Sequence, residues 1–488
     1  MNGKKNSIGL NVIHMFYSTI LSSVFNALAL IILANYLESR SYGLLSVALA
    51  FAMIMSYFTD SGLSEIVLRE GSKRKTSIQS VISSYIKIRM LLLGITFIIG
   101  FIVIHLTNNN EELIQTAYYL VIPMVMGVAM QGIGTTYFQL VERMQFAGFI
   151  RMLSSIFLIS TIVIGMAMSL HPYVISFLYG FSYFLAGLCA IILVHRHIKI
   201  NFKSIFHKGL LFQLWSFLLS GLLFVILPQL GPIILEKTVT LKQVGFFAVA
   251  YRIPQALNQL PNVVAGAFFP VLFRYYNHHQ LDKHLSLNIL QVKIMALIGI
   301  GVAIPFYYMS SLIIQLLFGE EWMFAAGLLK VLSLMLIFQS MGIALADGLT
   351  SLGRQNKRTL IQSISVLAGI FLYFFMSKSI GVVGASYAGV LIEAIALFGF
   401  WLLNPNRSII ARKAIIPYLS YFAVCLIVIE QVLHAYPILA VIVHLLLLLI
   451  LVFLDKELSH QSMIKLKSFR NSLRKRYVRK SREVGGGF

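Results

Sequence analysis

The sequence predicts an all-α integral membrane protein of about 14 transmembrane helices, arranged as two pseudo-symmetric six-helix lobes and a carboxy-terminal helix pair. Three observations carry that reading: the composition, the spacing of the apolar runs and the distribution of the cations. Hydrophobic residues make up 58% of the 488-residue chain and charged residues 11%, against roughly 45–50% and 25% in soluble domains. A membrane-spanning helix needs about 20 apolar residues. Such runs stand at 12–36, 42–68, 80–104, 113–140, 149–170, 172–194, 212–235, 244–273, 287–318, 324–350, 359–378, 380–403, 413–434 and 436–454. The first follows only Lys4 and Lys5. It exceeds the about 7–15 residues of a signal core and lacks a small-residue cleavage site, so it reads as an uncleaved first helix.

The net charge of +22 would suggest nucleic acid in a soluble protein. Here the cations sort by side. With the amino terminus inside, the inner connections carry Lys4 and Lys5; Arg69, Lys73, Arg74 and Lys75; Arg143 and Arg151; Arg196, Lys199, Lys203 and Lys208; Arg274 and Lys283; Arg354, Lys357 and Arg358; Arg407, Arg412 and Lys413. The outer connections carry only Arg40, Lys237, Lys242 and Lys378. A further basic run, from Lys456 to Arg482, follows the last helix. The positive-inside rule therefore accounts for the charge, both termini are expected in the cytoplasm, and no nucleic-acid partner is implied. A tail this basic beside a membrane suits anionic lipid headgroups. Its ending, Val484-Gly485-Gly486-Gly487-Phe488, is linker-like and reads either as native or as an appended scar.

Chemistry-bearing motifs are absent from the sequence. It has no nucleophile elbow, no Walker loop and no paired loop carboxylates, and no cofactor motif. The longest outer connection runs only from about His105 to Glu112, too short to build a soluble active site. His278, His279 and His284, like His195 and His197, sit in basic loops without acidic or cysteine partners at ligand spacing, so no metal site is implied. Cys189 and Cys425 fall inside helices, which predicts small apolar packing residues and no disulfide. These absences favour a carrier over an enzyme or an ATP-driven pump.

An internal repeat supplies the domain plan. Residues 41–50, SYGLLSVALA, lie over residues 243–252, QVGFFAVAYR, at a constant offset of 202. Each copy opens a helix, the second and the eighth, and the longest internal loop, Arg196–Lys208, falls between helices six and seven. An even number of helices per repeat gives both halves the same orientation, as in parallel-repeat transporters. The expected parts are a lobe at 1–200, a lobe at 201–405, helices thirteen and fourteen at 406–455 and a basic tail at 456–488.

At this point a family resemblance becomes visible. Leu33-Ala34-Asn35-Tyr36-Leu37-Glu38-Ser39-Arg40-Ser41-Tyr42-Gly43-Leu44, then Asp60-Ser61-Gly62-Leu63 and Arg69-Glu70, resembles the amino-terminal signature of the polysaccharide (O-antigen type) flippases of the multidrug/oligosaccharidyl-lipid/polysaccharide exporter superfamily. Gly319-Glu320-Glu321-Trp322, Thr350-Ser351-Leu352-Gly353-Arg354 and Gly381-Val382-Val383-Gly384-Ala385-Ser386-Tyr387-Ala388 fit the same family in order and spacing. The resemblance implies two V-shaped lobes around a central cavity, alternating access, and export of an undecaprenyl-pyrophosphate-linked oligosaccharide to the outer leaflet of a bacterial inner membrane. A glycan polymerase complex is a candidate partner, and the lack of an ATP motif leaves either a proton or sodium gradient as the drive or a carrier that merely equilibrates its substrate. The competing readings are a drug or cation antiporter of the same superfamily and a membrane glycan polymerase or ligase.

The candidate site lies in residues 244–270, VGFFAVAYRIPQALNQLPNVVAGAFFP. Arg252 stands eight residues in from Val244, about 12 Å at 1.5 Å per residue. A charge at that depth costs at least ~2.5 kcal/mol on insertion scales and usually faces a cavity. Helical spacing sets Arg252, Gln255 and Gln259 on one strip and Tyr251, Gln255, Asn258 and Asn262 on its neighbour, a continuous polar face with Pro254 and Pro261 free to bend it. Such a face suits sugar hydroxyls, and a guanidinium suits pyrophosphate through its two-pronged fork. The alternative is an interhelical ion pair with the amides as glue. Lys293 and Lys330 sit near helix ends, where they either snorkel or line the cavity. Lys87 and Arg89 read either as flanking cations or as an attraction for the lipid pyrophosphate at the cytoplasmic entrance. Glu393, thirteen residues into its run and near the midplane, and Asp60 are the coupling-ion candidates. For Asp60, Glu65 and Asp347, pairing with Arg69 or Arg354 is the plainer alternative.

Single cysteines between Asn108 and Glu112 are expected to react with impermeant reagents in intact cells, and one at Lys203 only after permeabilisation. Labelling at position 203 in intact cells would overturn the orientation.

Overall fold

The computed structural model describes residues 8–73, 77–203, 206–211, 214–455 and 458. Lys4, Lys5, Arg74, Lys75 and the basic residues of the tail lie outside the described residues. The α-helices follow in order: α1 (Ile8–Tyr36), α2 (Ser39–Phe58), α3 (Leu63–Gly71), α4 (Ile78–Thr107), α5 (Glu111–Leu140), α6 (Met144–Ala167), α7 (Pro172–His197), α8 (Leu214–Ile226), α9 (Leu230–Thr238), α10 (Leu241–Leu257), α11 (Gln259–Asn277), α12 (Leu281–Tyr308), α13 (Ser310–Phe318), α14 (Phe324–Ser333), α15 (Met335–Ser351), α16 (Gln355–Leu402), α17 (Arg407–Ile410), α18 (Ile416–Leu433) and α19 (Pro437–Leu454). No strand occurs among the described residues, as a bilayer interior requires when every backbone polar group must be satisfied locally.

Thirteen helical stretches among the described residues are long and apolar enough to cross a membrane. One of them, α16, has 48 residues, about 72 Å at 1.5 Å per residue, more than twice a ~30 Å hydrocarbon core. It turns back at Gly381, where φ is 67° and ψ −151°, a conformation only glycine adopts without strain. Beside the turn, a Cβ on Gly384 would stand 2.0 Å from the Met376 carbonyl oxygen. The two runs at 359–378 and 380–403 are thus the arms of one tight helical hairpin, and counting both arms brings thirteen stretches to the fourteen crossings.

Several runs that read as single helices are broken. At 42–68 the chain leaves α2 and re-enters α3 through Ser61 (φ 50°) and Gly62 (φ 77°), both left-handed. At 212–235 a short 3₁₀ turn, Leu227–Gln229, separates α8 from α9. The run at 244–273 divides at Asn258 into α10 and α11, the run at 287–318 at Met309, and the run at 324–350 at Leu334. Hydropathy averaged over a window does not register one-residue interruptions of this kind.

By internal packing the chain divides into two compact units. The first holds Met1–Gln259, Ser310–Met335 and Gln355–Gly399; the second holds Leu260–Met309, Leu336–Arg354 and Phe400–Phe488. Packing, not repeat membership, draws these units, so α10 stands with α2 in the first. There α2 and α10 cross at Gly43 and Gly245. A Cβ on Gly43 would lie 2.1 Å from the Leu241 carbonyl oxygen, and one on Gly245 would lie 2.0 Å from that of Ser39. Position 43 plus 202 is 245, and 39 plus 202 is 241, so one contact is made twice across the repeat. Trp322 seals the crossing edge-on to Tyr42, at 5.5 Å and 80°, and to Phe246, at 5.7 Å and 90°. At the same end Arg40 pairs with Glu112 at 2.5 Å, and Lys237 donates to Asn108 Oδ1 at 2.6 Å. The long loop after α7 is docked rather than loose: the Asn201 and His207 amides donate to the Ser83 and Ser84 hydroxyls on α4, at 3.1 and 3.0 Å.

In the second unit α12 packs on α15 through Gly299, where a Cβ would meet Ile337 and the Leu336 carbonyl within 3 Å. The fully buried His444 of α19 meets the Tyr308 hydroxyl of α12 at 3.1 Å and stacks on Phe422 of α18.

Replacing Gly43 or Gly245 by alanine is expected to lower thermal stability in detergent by about 1–3 kcal/mol, the usual cost of overpacking. Gly94→Ala, with open space around its added methyl, serves as the control and should leave stability unchanged. Equal melting of all three variants would show that the crossing is not tight.

Candidate functional site

Three polar constellations stand inside the helical core, and each contains a cation singled out from the sequence. They differ in what neutralises it.

Arg252 lies on α10, half-buried, one residue past Tyr251. Its Nη1 donates to the Gln255 Oε1 one turn on, at 3.5 Å. The guanidinium is in electrostatic reach of four phenols, those of Tyr42 on α2, Tyr179 and Tyr183 on α7, and Tyr251. Among the described residues it forms no ion pair with a carboxylate. The expected interhelical ion pair is therefore not what holds this charge. The neutral amide it contacts and the phenols in its reach leave it net positive, the condition an incoming anion needs.

The amide face is arranged differently from the sequence reading. Gln255 is half-buried beside Arg252, and Asn258 caps the end of α10. Gln259 and Asn262 are exposed on α11. The polar strip is therefore not continuous along one helix: α10 stops at Leu257, and Pro261, which has no amide hydrogen, sits in the first turn of the next helix, where none is needed. Glu393, half-buried on the second arm of α16, acts electrostatically on Tyr251 and Tyr373. Tyr251 is thus in electrostatic reach of both Arg252 and Glu393, a relation between two candidates that no sequence spacing revealed. Of the four phenols, Tyr251 was on the polar strip read from the sequence, whereas Tyr42, Tyr179 and Tyr183 were missed, since residues so far apart in the chain leave no local signal.

The second constellation joins two residues that the sequence placed in different roles. Arg89, read from the sequence as a flanking cation or an attraction for the lipid pyrophosphate, is 3% exposed. Its Nη1 donates to Asp60 Oδ1 at 2.6 Å and also contacts the Tyr85 hydroxyl. Asp60 therefore pairs with Arg89 and not with Arg69, which meets Glu70 at 3.3 Å. Lys87, two residues earlier, is half-buried.

The third lies in the second unit. Lys293, 5% exposed, donates to Asp455 just past the end of α19, at 2.8 Å, and the Tyr418 hydroxyl donates to the same carboxylate at 3.1 Å. Lys293 neither snorkels nor stands open as a free cation. Asp347, on α15, accepts from the Gln291 amide at 2.8 Å, and Asn288 donates to the Ala344 carbonyl at 2.9 Å.

A family model described as polysaccharide biosynthesis protein matches residues 8–276, more than half of the chain. The chain belongs to that family. This member of the polysaccharide biosynthesis family is 25% identical over 411 residues to the uncharacterized membrane protein MJ1068 of Methanocaldococcus jannaschii, covering 77% of this chain and 79% of that one. Its fold matches a solved structure of the lipid II flippase MurJ in an inward closed conformation, with TM-score 0.66 and 16% identity over 91% of this chain and 99% of that chain. It also matches an inward-facing multidrug resistance MATE transporter of the same superfamily, with TM-score 0.64 and 13% identity over 83% and 98%. The fold is thus that of the multidrug/oligosaccharidyl-lipid/polysaccharide exporters, in a multi-pass membrane protein.

Burial by itself would raise the pKa of Asp455. The Lys293 hydrogen bond and charge, with the Leu458 amide and the Tyr418 hydroxyl, outweigh it and hold the carboxyl below its ordinary value. A depressed folded pKa makes the stabilisation present above the unfolded value of about 3.9 and lost as pH falls through the folded one. Asp455→Asn is expected to destabilise by roughly 3 kcal/mol at pH 7, because it strands a buried ammonium, and Lys293→Met added to it should recover most of the loss. The gap to wild type should close below about pH 3.9. A gap of equal size at pH 7 and pH 3 in thermal melts would contradict the pairing.

Proposed function

We propose that this protein is a flippase that carries an undecaprenyl-pyrophosphate-linked oligosaccharide, such as an O-antigen or capsule repeat unit, from the cytoplasmic to the outer leaflet of a bacterial inner membrane. It works by alternating access of two repeat lobes, 1–200 and 201–405, drawing on a proton or sodium gradient, and performs no covalent chemistry. The observation that carries the reading is Arg252. It is a guanidinium within a membrane-spanning stretch, ringed by phenols and an amide, with no ion-paired carboxylate among the described residues. Holding such a charge is costly unless an anion uses it, and a pyrophosphate passing through an apolar membrane is the anion that membership of a polysaccharide biosynthesis family favours. Phenol hydroxyls and the Gln255 amide then serve as donors to phosphate and sugar oxygens. The same uncompensated cation argues against a cationic-drug antiporter, which would place like charges together.

Arg252 makes the electrostatic match, and Tyr251 links it to Glu393. Substrate charge at Arg252 on α10 and ion occupancy at Glu393 on α16 then both act on the one phenol of Tyr251, the relation coupled transport requires.

The test is a paired measurement of membrane abundance and glycan export in one strain. Arg252→Ala is expected to abolish export at normal abundance, and Arg252→Lys to retain part of it, since an ammonium keeps the charge and loses the fork. Full export by Arg252→Gln at normal abundance would rule out the phosphate role. In the same assay Glu393→Gln should flatten the dependence on the ion gradient. Unchanged gradient dependence would remove Glu393 from the coupling.

A further inference from the structure

The second helix is interrupted at a place where charge, strain and burial coincide. Between α2 and α3 the chain passes Asp60, then Ser61 at φ 50° and Gly62 at φ 77°. Two successive left-handed residues are unusual, and serine in that region carries a strain that surrounding contacts must hold in place. Those contacts converge on Asp60. Its Oδ1 accepts from Arg89 Nη1 at 2.6 Å, from the Ser64 hydroxyl at 2.6 Å and from the Tyr85 hydroxyl at 3.1 Å. Its Oδ2 accepts from the Ser64 amide at 3.3 Å, and so satisfies the first turn of α3. Thr136 on α5 donates to the Ser64 hydroxyl at 3.1 Å. One carboxylate therefore ties the start of α3 to α4 directly and to α5 through Ser64.

The site is built to receive the guanidinium. A Cβ on Gly132 of α5 would stand 2.3 Å from Arg89 Nη2, so a larger residue there would force the guanidinium to shift from its present place. Yet the fit is incomplete: Arg89 Nε is buried without an acceptor among the described residues. An unmet buried donor subtracts from the stability of a charge pair, which suits a contact that must be released. Two further titratable groups stand at this break, Tyr57 at the end of α2 and Glu65 in the first turn of α3, and both Asp60 and Glu65 act electrostatically on Tyr57. The position that the repeat offset relates to Arg89, 89 plus 202, is Gln291. That neutral amide serves Asp347 in the second unit, so the charged arrangement belongs to the first repeat.

We propose that Asp60 and Arg89 are the latch of a hinge in the second helix. In the conformation described here the guanidinium sits where a small cation would bind Asp60, and it holds α3 against α4. The transport cycle breaks the pair and lets α3 swing about Ser61 and Gly62. Asp60 is open to a small monovalent cation only in the unlatched state, because in the latched one the guanidinium and two hydroxyl donors already occupy its Oδ1. The proposal rests on the alternating-access reading above, and it gives Arg89 a positioning role in place of a substrate contact.

The test reads the hinge without using transport. Full-length protein with Cys189→Ser and Cys425→Ser carries spin labels at Ser72→Cys, just past α3, and His195→Cys, near the end of α7, both exposed positions. Interlabel distances are measured in lipid nanodiscs. Wild-type pairing should give one dominant distance. Asp60→Asn should raise a second population about tenfold, the shift that ~1.4 kcal/mol produces. Because Asp60→Asn strands a buried cation and threatens folding, Asp60→Leu with Arg89→Met removes both charges and should show the same second population in well-folded protein. The exchange Asp60→Arg with Arg89→Asp should return the single distance. Distributions in the asparagine and double-neutral variants that superimpose on wild type would overturn the latch. If these shifts appear while Arg252→Gln exports fully, the hinge stands and the phosphate reading falls. If they fail while the Arg252 variants behave as expected, the reverse holds.

Discussion

The contact on which the first unit depends is the crossing of α2 and α10 at Gly43 and Gly245. Each glycine lies against a backbone carbonyl of the other helix at a distance no side chain permits. Helices in lipid gain no hydrophobic drive from touching one another, so close association comes from small residues that let backbones approach. This crossing is the extreme of that rule. It also carries the repeat: the two glycines and the two carbonyls exchange places under the offset of 202, so a duplicated sequence generates a self-complementary contact as a two-fold interface does. Trp322 covering the glycines, Arg40 on Glu112 and Lys237 on Asn108 extend the closure at the same end. The crossing also fixes α10, and with it the direction in which Arg252 enters the ring of phenols from α2 and α7.

Three cations in an apolar interior receive three different treatments, and the differences separate structure from function. Lys293 meets Asp455 at a helix end, with a tyrosine completing the carboxylate. Arg89 meets Asp60 at a strained break, with one donor left unmet. Arg252 has phenols and an amide in place of a carboxylate. A buried ion pair broken at one partner is costly, so the first two hold elements together. A cation solvated by neutral groups keeps its field, and that field can act on a passing anion. The interior thus distributes its charge by neutralisation, and of these three cations Arg252 alone lacks a carboxylate partner among the described residues.

Much was legible from the residues alone. The helical class, the crossings, the repeat and the depth of Arg252 follow from apolar run length and from a charge that bilayer energetics single out. All are properties of single segments, or of two segments compared by eye. The hairpin at Gly381 was legible as two runs, since Ser377-Lys378-Ser379 interrupts the apolar stretch just before it. The breaks at Ser61-Gly62 and Asn258 were not, because hydrophobicity is blind to φ. The continuous amide face failed for the same reason: it assumed one helical phase through a point where the phase resets.

What the sequence determined by itself was therefore the solvent, the number of crossings, the family and the identity of the costly residues, because free energies of transfer depend on composition and length. What only the tertiary structure decided was which charge meets which. Asp60 lies nine residues from Arg69 and 29 from Arg89, yet it pairs with the farther one, since the break at Ser61 and Gly62 turns its carboxylate towards α4. Tyr42, Tyr179 and Tyr183 reach Arg252 because a glycine crossing and helix packing bring α2, α7 and α10 together. Electrostatic energy falls with distance in space and with local dielectric, and neither quantity is written along the chain.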